Sequence, residues 1–452
     1  MRQIEALQKF FPRSGIINGK VNKMKKVNTV HIISMGCPKN LVDSETVAGI
    51  LTKNGYALCG EPKTADIIII NTCAFIDSAR KEAYTTINQI SKNKSKNQKL
   101  IVCGCLPQYE KTELLQKFPK IDDILGSSDF TKIVDVLAST EKPVIKICTP
   151  EFIISDEPKL FSTPKSYAYI KIADGCDNRC SYCIIPQLRG NFRSRKMEHI
   201  LTDVENAVKS GRKEVILTAQ DTTMYGIDIC GGKLMIASLL KKIAGIDGLR
   251  WIRLLYTHPA HFTDELISEI AGNEKILKYV DIPIQHTDDF ILRQMGRPLS
   301  KTIFSTIEKL RKKVPDITLR TTVMVGFPGE TEKSFSKLLN DIQKLEFDWL
   351  GGFIYSAQKG TTACEMNNLV PLKVKKKRLN EIMAAQQKIT FLKNKKRVGK
   401  TFEVLTDGGK YGHSEFQSPE IDGRVVFSSK QEAGALIKMK ILKVKNAYDL
   451  AV

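Results

Sequence analysis

The run Cys176-Asp-Asn-Arg-Cys180-Ser-Tyr-Cys183 puts three thiols on one short loop, directly after an alternating strand candidate, Tyr167–Ala173. Gly175 just before it gives the backbone freedom for a tight turn. Eleven cysteines, an odd number, in a long chain without an apolar export segment make a disulfide framework a poor explanation. Thiolate ligands are a better one. Three of them hold three irons of a [4Fe–4S] cube and leave the fourth open, a vacancy that a fully cysteine-ligated cluster lacks. S-adenosylmethionine (SAM) can chelate such an iron through its amino and carboxylate groups and accept an electron at its sulfonium. Zinc is the competing reading. A structural zinc site wants four N/S ligands, commonly in paired CxxC units, and no second pair follows.

At 452 residues the chain exceeds what one core supports, so two or three domains are expected. Thr29–Ile33, Ala65–Ile70, Leu100–Val102 and Ile121–Leu125 read as strands, with amphipathic stretches such as Val42–Asn54 and Ser78–Ser91 between them. That pattern predicts a small parallel sheet with helices on its faces. A second series, Tyr167–Ala173, Glu214–Thr218, Arg250–Leu255, Tyr279–Ile282, Leu319–Val325 and Leu350–Tyr355, predicts six βα units and a full or partial barrel. In such a barrel the chemistry sits at the C-terminal strand ends. Phe402–Leu405, Arg424–Phe427 and Leu436–Val444, separated by Gly, Ser and Pro, predict a small β-barrel. The fold class is therefore α/β. The expected divisions are a basic tail over 1–27, an α/β domain over 28–145, a barrel over 160–390 and a β module over 393–452. Met24 stands as an alternative start just before the first strand.

Cys37, Cys73 and Cys105 each lie three or four residues beyond the last apolar residue of a predicted strand, Ile33, Ile70 and Val102. In a parallel sheet that places three thiols at one edge, as a ligand cage. Cys103 competes with Cys105, but its place within the strand favours a small buried hydrophobe. Cys59, Cys148, Cys230 and Cys364 have no partner suggested by spacing.

Met35-Gly-Cys-Pro-Lys-Asn-Leu-Val-Asp-Ser-Glu45, Asn71-Thr-Cys73, Gly104-Cys105, the CxxxCxxC loop, Pro283-Ile-Gln-His286 and Val325-Gly-Phe-Pro-Gly-Glu330 together resemble the radical SAM methylthiotransferases, over nearly the whole chain. The C-terminal module looks like that family's TRAM domain. The resemblance implies two [4Fe–4S] clusters, an auxiliary one on Cys37, Cys73 and Cys105 and a radical SAM one on Cys176, Cys180 and Cys183. It also implies two molecules of SAM, one methylating sulfur held on the auxiliary cluster and one yielding a deoxyadenosyl radical. Such chemistry suits an unactivated C–H bond, which offers no acidic proton.

Pro38-Lys39-Asn40-Leu41-Val42-Asp43-Ser44-Glu45, Ile184-Ile-Pro186, Gln220-Asp-Thr222 and Pro419-Glu-Ile-Asp-Gly423 resemble the RimO type, which modifies an aspartate β-carbon of small-subunit ribosomal protein S-twelve. The alternative is the MiaB type, which modifies a tRNA adenosine and usually has Gln-Met-Asn after the first cysteine. Tyr182, Gln285 and Arg320 are candidate SAM contacts, with His286 beside them; no catalytic acid or base is assigned.

The net charge of +21 concentrates in residues 1–27 and 372–400, which carry +6 and +10. Lysine-rich surfaces neutralise phosphates, so RNA contact is an expectation alongside the ribosomal protein. Residues 401–452 balance seven basic against seven acidic side chains, which suits a basic protein partner. Flavodoxin or ferredoxin is the expected electron donor. No apolar run approaches the roughly 20 residues that span a bilayer, and no secretory signal is seen, so a cytoplasmic, membrane-free protein is expected.

Overall fold

A computed structural model describes residues 27–452. The basic segment before Val27, and the alternative start at Met24, lie outside the described residues. Two compact units are present: residues up to 163 with 174–177 and 184–195, and residues 164–173, 178–183 and 196–452.

The first unit is built on six parallel strands, β1 (Thr29–Ser34), β2 (Ala57–Leu58), β3 (Ile67–Thr72), β4 (Lys99–Gly104), β5 (Asp123–Leu125) and β6 (Ile145–Lys146), in the order β2-β1-β3-β4-β5-β6. β3 is buried along its whole length, as the unbroken run Ile67–Ile70 requires of a strand covered on both faces. Edge strands β2 and β6 are absent from the sequence expectation, because two residues are too few to show a period of two. Helices α1 (Pro38–Lys53), α2 (Asp77–Asn93) and α3 (Cys105–Glu110) follow β1, β3 and β4. Pro38 opens α1, where its missing N–H costs nothing. A later helix, α4 (Ile185–Arg189), belongs to this unit. Leu188 and the preceding Ile184 join Ile70, Val102 and Leu106 in one apolar cluster.

The second unit opens with β7 (Tyr167–Lys171), β8 (Glu214–Thr218), β9 (Trp251–Leu254), β10 (Ile276–Asp281), β11 (Thr318–Val325) and β12 (Trp349–Ile354). All are parallel, and each pairs with the next in sequence, the arrangement of a partial βα barrel. Loops after β7, β8 and β9 thus emerge at one C-terminal edge.

Helix α5 (Leu372–Arg397) then packs on β12. Its buried residues recur every four positions, Arg378, Ile382, Gln386, Thr390 and Asn394, and four of the five are polar. Gln386 Nε2 donates to Phe347 O at 2.7 Å, Thr390 Oγ1 to Asp348 O at 2.8 Å and Asn394 Nδ2 to Ala447 O at 3.0 Å. Arg378 pairs with Glu330 at 3.1 Å and Arg397 with Asp348 at 2.9 Å. The basic stretch is thus a docked helix with Arg378, Lys393 and Arg397 committed internally, while Lys373, Lys376, Lys377, Lys388, Lys395 and Lys396 stay exposed.

Strands β13 (Thr401–Ser414), β14 (Val425–Gln431), β15 (Leu436–Lys440), β16 (Lys443–Val444) and β17 (Leu450–Ala451) form the C-terminal sheet. β13 runs 14 residues, well past the predicted Phe402–Leu405. Gly408 and Gly409, at φ +97° and +62°, bend it beside a register shift, which interrupts the alternation a sequence reading depends on. The tip Pro419–Gly423 is tied to the barrel: Tyr279 Oη donates to Asp422 at 2.6 Å and Tyr169 Oη to Glu420 at 3.2 Å. No described helix is long and apolar enough to cross a membrane.

Candidate active site

In the first unit the chain leaves β1, β3 and β4 at the same edge of the sheet, and each exit carries a cysteine. Cys37 is the residue before α1, Cys73 directly follows β3, and Cys105 opens α3 after Gly104 at φ +94°. Asn40, on the first turn of α1, is the hub. Its Oδ1 lies 4.0 Å from the Cys37 sulfur and 3.9 Å from that of Cys105, while its Nδ2 donates to Met35 O at 3.1 Å and Thr72 O at 2.9 Å. Gly36 is at φ +89°, and a Cβ there would stand 2.5 Å from Cys73 Cβ and 3.1 Å from its sulfur. Only glycine leaves that space open.

Burial, reinforced by the charges of Cys105 and Cys37, pushes the Cys73 thiol up to about 12. Burial likewise raises Cys105, opposed by the Arg189 guanidinium beside it. Thiols that burial keeps protonated give up their protons to a metal. Arg189, at the end of α4, donates to Asn40 Oδ1, to Asp43 at 2.8 Å and to Asp174 at 3.2 Å. A fixed buried cation thus stands behind the three sulfurs, and the donor set fits an anionic iron–sulfur cluster. Cys103 is 2% exposed within β4, and burial pushes its thiol up strongly.

In the second thiol set, Cys176 N donates to Gly190 O at 3.2 Å. Gly175 (φ +75°) approaches the backbone so closely that a Cβ would meet Asn191 O at 1.9 Å. Further along, Cys183 N donates to Cys180 O at 3.0 Å, closing a turn, and Ser181 N to Met295 O at 3.0 Å. Arg297 Nη1 lies 3.9 Å from the Cys180 sulfur. A cation beside a thiolate again fits an anionic cluster.

Tyr182 packs edge-on to Phe327, ring centroids 6.5 Å apart, in a cluster with Ile291, Met295, Tyr355 and Ala363. Gln285 sits in the left-handed region at φ +67°, half-buried, and makes an isolated parallel bridge with Val323. His286 is fully buried, which pulls it down to about 3. Arg320 is the third residue of β11. Its guanidinium pairs with Asp281 at 2.8 Å and Asp422 at 3.4 Å.

Sequence reasoning passed over Asn40 as a hub, Arg189, Arg297 and a polar group at the barrel edge. In that group Asp221, His258 and His261 bring their ligand-type atoms within 4.8 Å of one another. With only six histidines in the chain, two spaced by three residues after a strand were a signal in plain sight.

Residues 29–126 match the uncharacterised protein family UPF0004, 170–342 the radical SAM superfamily and 398–452 the TRAM domain. The ribosomal protein uS12 methylthiotransferase RimO of Acetivibrio thermocellus is 44% identical over 94% of this chain and 98% of the relative. The protein of that name from Thermoanaerobacter sp. is 43% identical, again over 94% and 98%. Among solved structures, the radical SAM methyltransferase TsrM of Kitasatospora setae superposes with a TM-score of 0.57 at 12% identity, covering 75% of this chain and 74% of that one. At that identity the likeness is one of fold. Matched nearly end to end by such relatives, the chain belongs to the RimO family of radical SAM methylthiotransferases.

Proposed function

We propose that this protein adds a methylthio group to the β-carbon of an aspartate in ribosomal protein uS12. The convergence of Cys37, Cys73 and Cys105 around Asn40 carries the reading, because a second cluster site distinguishes sulfur insertion from radical chemistry alone. The name of the relatives supports the protein substrate over tRNA.

In this reading Cys37, Cys73 and Cys105 hold an auxiliary [4Fe–4S] cluster, and Cys176, Cys180 and Cys183 hold one whose open iron takes SAM. The two clusters with SAM supply a hydrogen-abstracting radical and a methylated sulfur. The protein's own part is orientation and charge. Arg189 and Arg297 offset thiolate charge, Asn40 fixes the sulfur cage, and the Tyr182 cluster excludes water beside Cys180 and Cys183. Tyr182, Gln285 and Arg320 are the proposed SAM neighbours, the last through its ion pairs. Flavodoxin or ferredoxin in the cytoplasm supplies the electron, and the exposed lysines of α5 suit contact with ribosomal RNA.

The test incubates anaerobically reconstituted protein, SAM and reductant with uS12 and, separately, with total tRNA. A methylthio mass gain on one uS12 aspartate is the expected result. Modification of an adenosine in the tRNA alone would overturn the reading.

A further inference from the structure

Asp221 lies just beyond β8, and His258 and His261 lie on the loop after β9, at the C-terminal edge where barrel chemistry takes place. Asp221 is 1% exposed, and its carboxylate is fully engaged. Oδ1 accepts from Thr223 N at 3.0 Å and Thr223 Oγ1 at 2.5 Å. Oδ2 accepts from Asn178 Nδ2 at 2.8 Å and faces His261 Nδ1 at 2.9 Å. Asn178 belongs to the loop between Cys176 and Cys180, so one carboxylate ties the cluster loop to His261.

His258 holds the other side of His261. The two rings stack with centroids 4.5 Å apart, and burial, with the nearby Arg297 charge, pulls His258 down to about 2, so it is a neutral plate. Its Nδ1 accepts from Ala260 N at 3.3 Å. With these bonds in place, the cluster is an orienting device for one imidazole rather than an open cation site. The backbone leading to it is strained: Tyr256, an aromatic residue, is at φ +56°, where Tyr256 N donates to Asp281 Oδ2 at 3.0 Å and Thr257 Oγ1 donates to Asp281 O at 2.6 Å. Strain of that kind persists where a site needs the geometry.

The His261 side chain alone among the three keeps substantial exposure, 24%, and its Nδ1, not its Nε2, is the nitrogen engaged by Asp221. We propose that His261 binds the side-chain carboxylate of the substrate aspartate, its ring standing between that carboxylate and Asp221. The inference rests on the aspartate reading above. In an aspartate the carboxylate is one bond from the β-carbon, so holding it fixes the C–H bond to be broken. The chain already holds one imidazole ring between two carboxylates, His413 between Glu214 at 2.5 Å and Asp407 at 2.9 Å.

SAM also carries a carboxylate, and the experiment separates the two. Reconstituted wild type and His261→Phe, which keeps the stack and loses Nε2, are compared on uS12 and on uS12 with its target aspartate changed to asparagine. KM for uS12 rises about tenfold in the variant, KM for SAM moves less than about twofold, and the preference for aspartate over asparagine collapses. Iron content and circular dichroism verify folding, and Asp221→Asn, milder in shape, gives the same direction if His261→Phe does not fold. A variant whose KM rises for SAM instead, or which keeps the aspartate preference, overturns the inference. Wild type that modifies tRNA and neither uS12 form would instead overturn the function reading itself.

Discussion

Arg189 Nη1 and Asp43 Oδ2 meet at 2.8 Å, and each side chain is 2% exposed. A buried pair of that kind is strongly destabilising to break, because the partner left behind is an uncompensated charge. Asp174 pairs with the same guanidinium, so two carboxylates lose a buried cation at once. Arg189→Met is expected to cost about 3–5 kcal/mol in anaerobic urea denaturation. Arg189→Lys keeps a cation but loses the fork, and should fall between that variant and wild type.

The thiol cage makes a sharper prediction about iron. Gly36→Ala drives a methyl group into Cys73, and Cys73→Ala removes a ligand, so each should reduce iron from about eight to about four per chain if two cubes are held. Cys103→Ala deletes a small buried group and should leave iron unchanged. Iron analysis with visible absorbance after anaerobic reconstitution checks all three.

His413 gives the fold a pH dependence. Burial alone would lower it, but Asp407 and Glu214 overcome that and raise it to about 9. A histidine raised in the folded state lends stability that is fully present below its unfolded value near 6.5 and is lost as pH rises through about 9. The size is about 3 kcal/mol. Thermal midpoints should fall between pH 7 and pH 9.5 in wild type, and that decline should flatten in His413→Gln.

What the sequence made legible follows a physical divide. Periodicity and spacing report local matters, so the central strands of both parallel sheets and the cysteines at their ends could be read directly. Arg189 could not, since its partners Asn40 and Asp43 lie nearly 150 residues away and nothing local marks a buried arginine. The ion pair of Arg320 with Asp422 was hidden in the same way: a strand position says nothing of a partner about a hundred residues on in the C-terminal module. The RimO-like run Pro419–Gly423 was a family mark in the sequence; in the structure it is where Glu420 and Asp422 meet the barrel tyrosines.

Helix α5 supplies a fourth prediction. Gln386 and Asn394 donate to loop carbonyls, so Gln386→Leu and Asn394→Leu should each cost about 1–3 kcal/mol by removing those hydrogen bonds. Lys388→Glu, on the exposed face, should change stability by less than about 0.5 kcal/mol while weakening binding to ribosomal RNA in a salt-dependent way. Denaturation curves and a salt titration of RNA binding check the two halves.

The bonds from Asp422 to Arg320 and from His413 to Glu214 bear on how chimeras of this family can be made. A graft that exchanges the C-terminal module at Thr401 would leave Arg320 with Asp281 alone and Glu214 with Arg253 alone, each short of one charged partner inside the recipient's barrel. Successful swaps must carry their matching barrel residues with them, so the module and the barrel are inherited as one part, even though their sequences read as two.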